Sequence, residues 1–309
     1  MIVTVTMNPA IDKTVDIETF VHGGLNRVKH IIMDAGGKGI NVSKTIKALG
    51  GESIASGFLG GNNGTAIANM LKSDQVNAKF VIVGGETRIN TKIVEADGTV
   101  TELNEAGPEI SEGELNKLEE QLMRYAKEGT WFVLSGSVPT GVSKAIYGDL
   151  IRKVHEKGAK VFLDADGELF TQSLEAKPDI IKPNRVELEK YIGADHSLSE
   201  EELLSVGREL LDQGIGTVII SLGHEGALFL TKEETIKCPA ISIEVHSTVG
   251  AGDALVAAYT YGMDQGLEFE TCAKLSIATS AGAVSTEGTK PPTRQKVDAL
   301  IPLVKPIKM

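Results

Sequence analysis

The chain is short of the features that define several protein classes. It has only two cysteines, Cys238 and Cys272, in 309 residues. That is too few for a disulfide framework, and their spacing is not that of metal ligands, so a reducing compartment is expected. Basic residues are outnumbered, 31 Lys and Arg against 42 Asp and Glu, for a net charge of −11. Such a surface argues against non-specific nucleic-acid binding and against attachment to an anionic membrane. No apolar run reaches 18 residues, so no transmembrane helix is expected. The opening Met1-Ile2-Val3-Thr4-Val5-Thr6 reads as a strand. It has neither a basic segment nor a cleavage site, so a signal peptide is not expected and a cytoplasmic location is. Internal repeats, low-complexity tracts and long linkers are missing too, so residues 1–309 are expected to form one domain.

What is present begins with a normal share of core-forming residues, 41% hydrophobic and 24% charged. From about residue 111 onward, helical periodicity alternates with short apolar runs. Strands are predicted at 131–134, 160–163, 179–182 and 217–221, and a hairpin at 226–237. Helices are predicted at 143–157, after Asp253, at 268–286 and at 294–304. Ser111 with Glu114, and Ser199 with Glu202, have capping-box spacing ahead of leucines on one helical face. This βαβ alternation implies a mostly parallel, doubly wound sheet with helices on both faces. The amino-terminal part differs. Residues 2–6 predict a buried strand ending at Asn8-Pro9, and 41–49 and 64–72 predict helices. Residues 14–20, 27–33, 88–95 and 99–103 alternate in the manner of exposed antiparallel strands, the last two around Asp97-Gly98. These pieces, roughly 11–34 and 87–104, are expected to form a small separate sheet.

Two glycine-rich turns lead into helices near opposite ends of the chain. The first is Asp34-Ala35-Gly36-Gly37-Lys38-Gly39-Ile40-Asn41. It is not a Walker A loop, because Gly39 follows Lys38 where Ser or Thr is required. It is not a dinucleotide fingerprint either, because the third glycine is missing. The second is Ser247-Thr248-Val249-Gly250-Ala251-Gly252-Asp253-Ala254. Its amides, at a helix N-terminus, suit an anion. Asp253 fits two roles, a helix N-cap or a general base for a hydroxyl attacking phosphorus. In an α/β sheet, ligands bind at the carboxyl ends of the strands. The turns at Asn8, Ser135-Gly136-Ser137, Asp164, Asn184 and Gly223 are all predicted to lie there.

In this order, the two turns resemble those of the ribokinase-like sugar kinases, specifically the phosphofructokinase B family, and the resemblance spans the chain. Within it the sequence is most similar to the 1-phosphofructokinases and next to the tagatose-6-phosphate kinases. The similarity is carried by Met7-Asn8-Pro9-Ala10-Ile11-Asp12, Leu25-Asn26-Arg27, Gly36-Gly37-Lys38-Gly39, Glu86-Thr87-Arg88-Ile89-Asn90 and Ser285-Thr286-Glu287-Gly288. The resemblance implies a ribokinase-like α/β fold with a small β-sheet lid. It implies transfer of phosphate from ATP to fructose 1-phosphate, with tagatose 6-phosphate as the alternative acceptor. It makes Asp253 the base, with Gly250, Ala251 and Gly252 as the anion hole. Asp12, Gly37, Lys38, Asn41 and Asn90 would hold the sugar, and Arg27, Lys38 and Arg88 its phosphate. ATP would lie against Lys182, Asn184, Ser221, Gly223, Gly226, Gly250 and Gly252. Asn184 and Glu187 would organise Mg²⁺, a pair that also has capping-box spacing. The small-residue run from Ser276 to Ala283 suits either an adenine or tight helix packing. A homodimer joined through the two lids is expected. Two other readings are a non-catalytic sugar-phosphate binder and a dinucleotide-dependent dehydrogenase. The intact Asp253 turn argues against the first, and the missing fingerprint against the second.

Overall fold

The computed structural model describes all 309 residues. Its strands are β1 (Ile2–Thr6), β2 (Ala10–Asp16), β3 (His30–Gly36), β4 (Ser53–Gly60), β5 (Asn77–Val83), β6 (Arg88–Val94), β7 (Val100–Asn104), β8 (Trp131–Ser135), β9 (Lys160–Asp164), β10 (Ile180–Ile181), β11 (Thr217–Ser221), β12 (Ala227–Leu230), β13 (Thr235–Cys238) and β14 (Ile307–Lys308). Its helices are α1 (Lys38–Ala48), α2 (Gly61–Ser73), α3 (Glu112–Met123), α4 (Ile146–His155), α5 (Gly167–Leu174), α6 (Arg185–Ile192), α7 (Glu200–Asp212), α8 (Ala251–Asp264), α9 (Phe269–Val284) and α10 (Arg294–Leu300). None is long and apolar enough to cross a membrane.

Ten strands form the main sheet in the order β14-β13-β12-β11-β10-β9-β8-β1-β4-β5. From β5 through β11 every pair is parallel, and the last three strands are added antiparallel. Parallel strands are covered on both faces, so their apolar residues run nearly unbroken and alternate between two cores. Val3, Val5, Phe132, Leu134, Val161 and Leu163 face one core, completed by α3 to α7. Ile2, Trp131, Val133 and Phe162 face the other, completed by α1, α8, α9 and α10. Each fully buried Phe, Leu or Ile contributes about 1.5–3 kcal/mol. The chain leaves β1 toward β4 and β5, then returns to build β8, β9, β10 and β11 on the opposite side. The strand order therefore reverses beside β1, which places the ligand crevice at its carboxyl end.

The four remaining strands form the small sheet, in the order β3-β2-β6-β7. Its outer pairs are antiparallel, but the central pair, β2 with β6, is parallel. The outer pairs are the two antiparallel pieces expected, and the pair that joins them is parallel because β2 follows β1 and β6 follows β5, strands that run in one direction in the main sheet. Expected strands at 14–20 and 27–33 also shift, since β2 ends at Asp16 and β3 begins at His30. Between them Asn26 folds the chain on itself. Its side chain accepts from the Val21 amide (2.8 Å) and donates to the Val21 carbonyl (3.0 Å), groups a ladder would otherwise use. The closing helix is shorter than 294–304 because a 3₁₀ turn containing Pro302 follows Leu300.

Gly57 shows how tightly β4 approaches β1. Its φ is +144°, and a Cβ there would lie 1.8 Å from the Thr6 carbonyl oxygen. Gly57→Ala is therefore expected to destabilise the fold by about 2–4 kcal/mol, through overpacking and backbone strain. Urea unfolding of the two proteins checks this, and an unchanged midpoint would contradict it.

Candidate active site

A cavity of about 430 Å³ opens between the carboxyl ends of the main-sheet strands and the lid. β1 delivers Thr6 and Asn8, and the turn after β8 delivers Ser135, Gly136 and Ser137. Asp166 follows β9, while Gly37, Lys38 and Asn41 come from the start of α1. Val249, Gly250 and Asp253 come from the start of α8. The lid contributes Asp12, Arg88, Asn90, Lys92, Glu102 and Asn104. Only one lining residue is hydrophobic. Buried side-chain oxygens of Thr6, Asn8, Asn41, Asn90 and Ser135 have no hydrogen-bond partner within the protein. An orphaned buried polar atom is costly, so this lining is made for a ligand rich in hydroxyls and charge.

The start of α8 is built around Gly250, which occupies the N-cap with φ +81° and offers no side-chain cap. Asp253 is the third helical residue, so the N-cap role is excluded. Its carboxylate is buried, 7% exposed. One oxygen accepts from Asn41 Nδ2 at 2.8 Å, and the other takes no hydrogen bond from the protein. Burial, and next the negative charge of Asp164, push the Asp253 carboxyl up to about 6, against the pull of Asn41, Lys38 and Lys182. Proton affinity in this range suits a group that removes a proton near neutrality.

Asp164, at the end of β9, is 1% exposed and holds two ammonium groups on one oxygen. Lys182 lies at 3.2 Å and Lys38 at 3.4 Å. Burial raises the Asp164 carboxyl, but the two lysines outweigh it and the net displacement is downward. Lys38 is correspondingly raised, chiefly by Asp164. Gly252 lies beside this pair, and a Cβ there would be in ordinary contact with Lys182 Nζ, at 3.6 Å. The preceding turn is braced by the buried Tyr147 hydroxyl, 3.1 Å from both the Ser135 and Gly136 carbonyls.

Of the expected sugar-side residues, the cavity gathers Asp12, Gly37, Lys38, Asn41, Arg88 and Asn90 together with Gly250 and Asp253. Arg27 is not among them. It lies on the exposed loop between β2 and β3, because that loop does not continue the sheet toward the cavity. The expected nucleotide-side residues form an adjoining row. Ser221 pairs across to Asn184, and its amide donates to the Pro183 carbonyl at 3.0 Å. Asn184 and Glu187 form the capping box of α6, each side chain accepting from the other's amide at 2.8 and 2.9 Å. Gly223 has open space beside it. A Cβ on Gly226 would lie 2.1 Å from the Cys238 carbonyl, so the hairpin itself demands that glycine. In α9, Ser276 and Thr279 spend their hydroxyls on the Cys272 and Leu275 carbonyls at 2.7 Å, which makes tight packing the explanation for that run.

Lys92, Glu102, Asn104 and Asp166 also line the cavity and were not expected from the sequence. The first was within reach. Alternate strand residues share a face, so Arg88 and Asn90 imply Lys92. Register then pairs Asn90 with Asn104 and Lys92 with Glu102. Asp166, beyond the end of β9, had no periodic signal.

Comparison with known proteins agrees with this architecture. Residues 5–296 match the model of the pfkB family carbohydrate kinases. The 1-phosphofructokinase of Haemophilus influenzae is 37% identical over 286 residues, covering 92% of this chain and 91% of the relative. The 1-phosphofructokinase of Bacillus subtilis is 35% identical over 305 residues, covering 99% of each. The structure of phosphofructokinase-2 from Escherichia coli in complex with substrates and products superposes with a TM-score of 0.93 at 27% identity, covering 98% of this chain and 99% of the other.

The Asp253 environment has a consequence for stability. In the unfolded chain its carboxyl returns to 3.8, so the folded state binds the proton more tightly. Asp253 therefore lowers stability as pH rises from about 4 to about 6, and its full cost, at most about 3 kcal/mol, is present above that. Asp253→Asn is expected to raise the melting temperature at about pH 8, with the gain shrinking below about pH 6. Calorimetry across this range checks it, and a pH-independent difference would contradict it.

Proposed function

The chain belongs to the pfkB family of carbohydrate kinases and is a phosphotransferase acting on a sugar hydroxyl with ATP as donor, and we propose that its acceptor is fructose 1-phosphate, converted to fructose 1,6-bisphosphate with release of ADP. The relatives at 33–37% identity that carry the name 1-phosphofructokinase support this acceptor. The observation that carries the mechanism is Asp253, a buried carboxylate with one free oxygen in a cavity of orphaned polar atoms.

In this reading the carboxylate of Asp253 accepts the proton of the attacking hydroxyl as the new O–P bond forms. Asn41 fixes its orientation from the neighbouring helix start. Amides of Gly250, Ala251 and Gly252, at the positive end of α8, stabilise charge on the transferred phosphoryl group. Asp12, Gly37, Asn41 and Asn90 hold the sugar, and Lys38 and Arg88 supply positive charge toward its phosphate. Lys182, Asn184, Ser221, Gly223 and Gly226 form the nucleotide side. Near Lys38 stand four carboxylates, of Asp164, Asp166, Glu187 and Asp253, and the ammonium groups of Lys38 and Lys182 offset only two of them. That excess of negative charge fits a divalent cation. Asn184 and Glu187 are the residues that would hold Mg²⁺, which when bound neutralises charge on the phosphates. The lid excludes water, which limits transfer of phosphate to water in place of sugar.

The lid also supports a homodimer. Opposite the face carrying Asp12 and Asn90, it exposes Ile31 and Met33 on β3 and Leu103 on β7, apolar positions flanking Lys13 and Thr91 for a second copy to cover. Buried Cys238 and Cys272, both unpaired, suit a cytoplasmic protein.

ADP release with Mg·ATP tests the acceptor and the base together. Turnover is expected to favour fructose 1-phosphate over tagatose 6-phosphate and fructose 6-phosphate in kcat/KM. Asp253→Asn should lower kcat by about 10²–10⁴-fold with KM little changed. A preference for another acceptor overturns the substrate, and a fully active Asp253→Asn overturns the base. For the assembly, sedimentation is expected to show a dimer that Met33→Asp with Leu103→Asp dissociates. A wild-type monomer at micromolar concentration would contradict the lid contact.

A further inference from the structure

The three cations that line the cavity are unequally committed. Lys38 is held by Asp164. Arg88 donates from Nε and Nη2 to the Asn8 carbonyl at 3.2 and 3.0 Å, and from Nη1 to the Glu105 carbonyl at 3.1 Å. Much of its fork is therefore spent in fastening β6 to the loops beneath it. Lys92 differs from both, because its ammonium forms no hydrogen bond and no ion pair with any group of the chain.

Its position is set by the lid register. Lys92 lies two residues beyond Asn90 on the same face of β6, with Thr14 opposite on β2 and Glu102 opposite on β7. Asp12, Asn90, Glu102 and Asn104 are the polar groups that share its wall of the cavity. Glu102 does not come within ion-pair distance. Burial raises the Asp12 carboxyl, and Lys92 is the strongest of the charges that oppose this, ahead of Arg88 and Lys44. The ammonium is therefore directed toward the sugar-side residues. A partly buried cation with all its donors free, in a concave polar cavity, is arranged for an anionic ligand.

We propose that Lys92 binds the phosphate already carried by the acceptor sugar, and so sets the preference for a phosphorylated over an unphosphorylated sugar. The proposal rests on the kinase reading given above. It places a lid cation where Arg27 was expected, since Arg27 lies outside the cavity within this chain. Lys92 does not act on the reacting hydroxyl. Its effect is on acceptor binding, from the same wall of the cavity as Asp12 and Asn90.

Steady-state kinetics of the wild type, Lys92→Met, Lys92→Gln and Lys92→Arg test this with fructose 1-phosphate and with unphosphorylated fructose at saturating Mg·ATP. Lys92→Met is expected to raise the KM for fructose 1-phosphate about ten- to a hundredfold, with kcat changed only a few-fold. The kcat/KM for fructose should stay at the wild-type value, so discrimination between the two sugars collapses, and the KM for ATP, read in a separate series with ATP varied, should not change. Lys92→Arg should recover most of it. Should Lys92→Met melt early, Lys92→Gln gives the same readout with a polar side chain. A wild-type discrimination ratio in a folded Lys92→Met or Lys92→Gln overturns the role of Lys92 and leaves the kinase reading intact. A wild type that uses fructose as well as fructose 1-phosphate overturns both the sugar-phosphate acceptor and Lys92 with it.

Discussion

Asp164 sits at the end of a central strand, 1% exposed, with both of its cationic partners on a single oxygen. An isolated carboxylate at that depth would be prohibitively costly, and the two ammonium groups compensate it only while both reach it. One, Lys38, is the first residue of α1, and the other, Lys182, follows β10. Elements from the amino-terminal part and the middle of the chain are thus drawn to one point. The same charge extends further, since it is the second cause, after burial, of the raised proton affinity of Asp253. Lys38 and Lys182 draw that affinity back. A single buried ion cluster therefore holds two cations at one point and shifts the proton affinity of the carboxylate beside them.

The backbone around this cluster follows from the topology. Two helices, α1 and α8, begin at the cavity, so both present their positive ends to whatever binds there. Each is entered through a glycine with positive φ, Gly37 at +111° and Gly250 at +81°. At Gly37 a Cβ would also meet the Thr6 side chain at 2.6 Å and Pro9 Cα at 3.2 Å. The bond from Asn41 to Asp253 then ties one helix start to the other across 212 residues of sequence. Above them, β2 and β6 rise from the main sheet as a parallel pair and carry Asp12, Arg88 and Asn90 into the lid.

Much of this was readable in the sequence, for physical reasons. The buried strands β8, β9 and β11 are short apolar runs bounded by turns, and the capping boxes at Ser111 and Ser199 set the starts of α3 and α7 as expected. The glycine turns and their acidic or polar neighbours announced Asn41 and Asp253. Other features were hidden. β4 reads Ser-Ile-Ala-Ser-Gly-Phe-Leu-Gly, and its small residues, which β1 requires for close approach, conceal a strand. β5 is an edge with exposed positions and lacks the signature of a buried strand. α5 and α6 are only eight residues each, too short for clear periodicity. Asp164 was placed at a strand end, but nothing in one dimension shows that Lys38 and Lys182 meet on it. The resemblance points to Arg27 for the acceptor's phosphate, and the Asn26 turn holds it on an exposed loop away from the cavity of its own chain.

The proposed chemistry depends on the protonation of Asp253 inside the folded protein. Titrating ¹³C-labelled aspartate carboxyls by NMR, with Asp253→Asn to assign the resonance, measures it directly. The buried, Asp164-facing environment predicts a midpoint near 6. A midpoint at the ordinary aspartate value of about 3.9 would mean that the carboxylate is solvated or paired, and would contradict the arrangement on which the proposed catalysis depends.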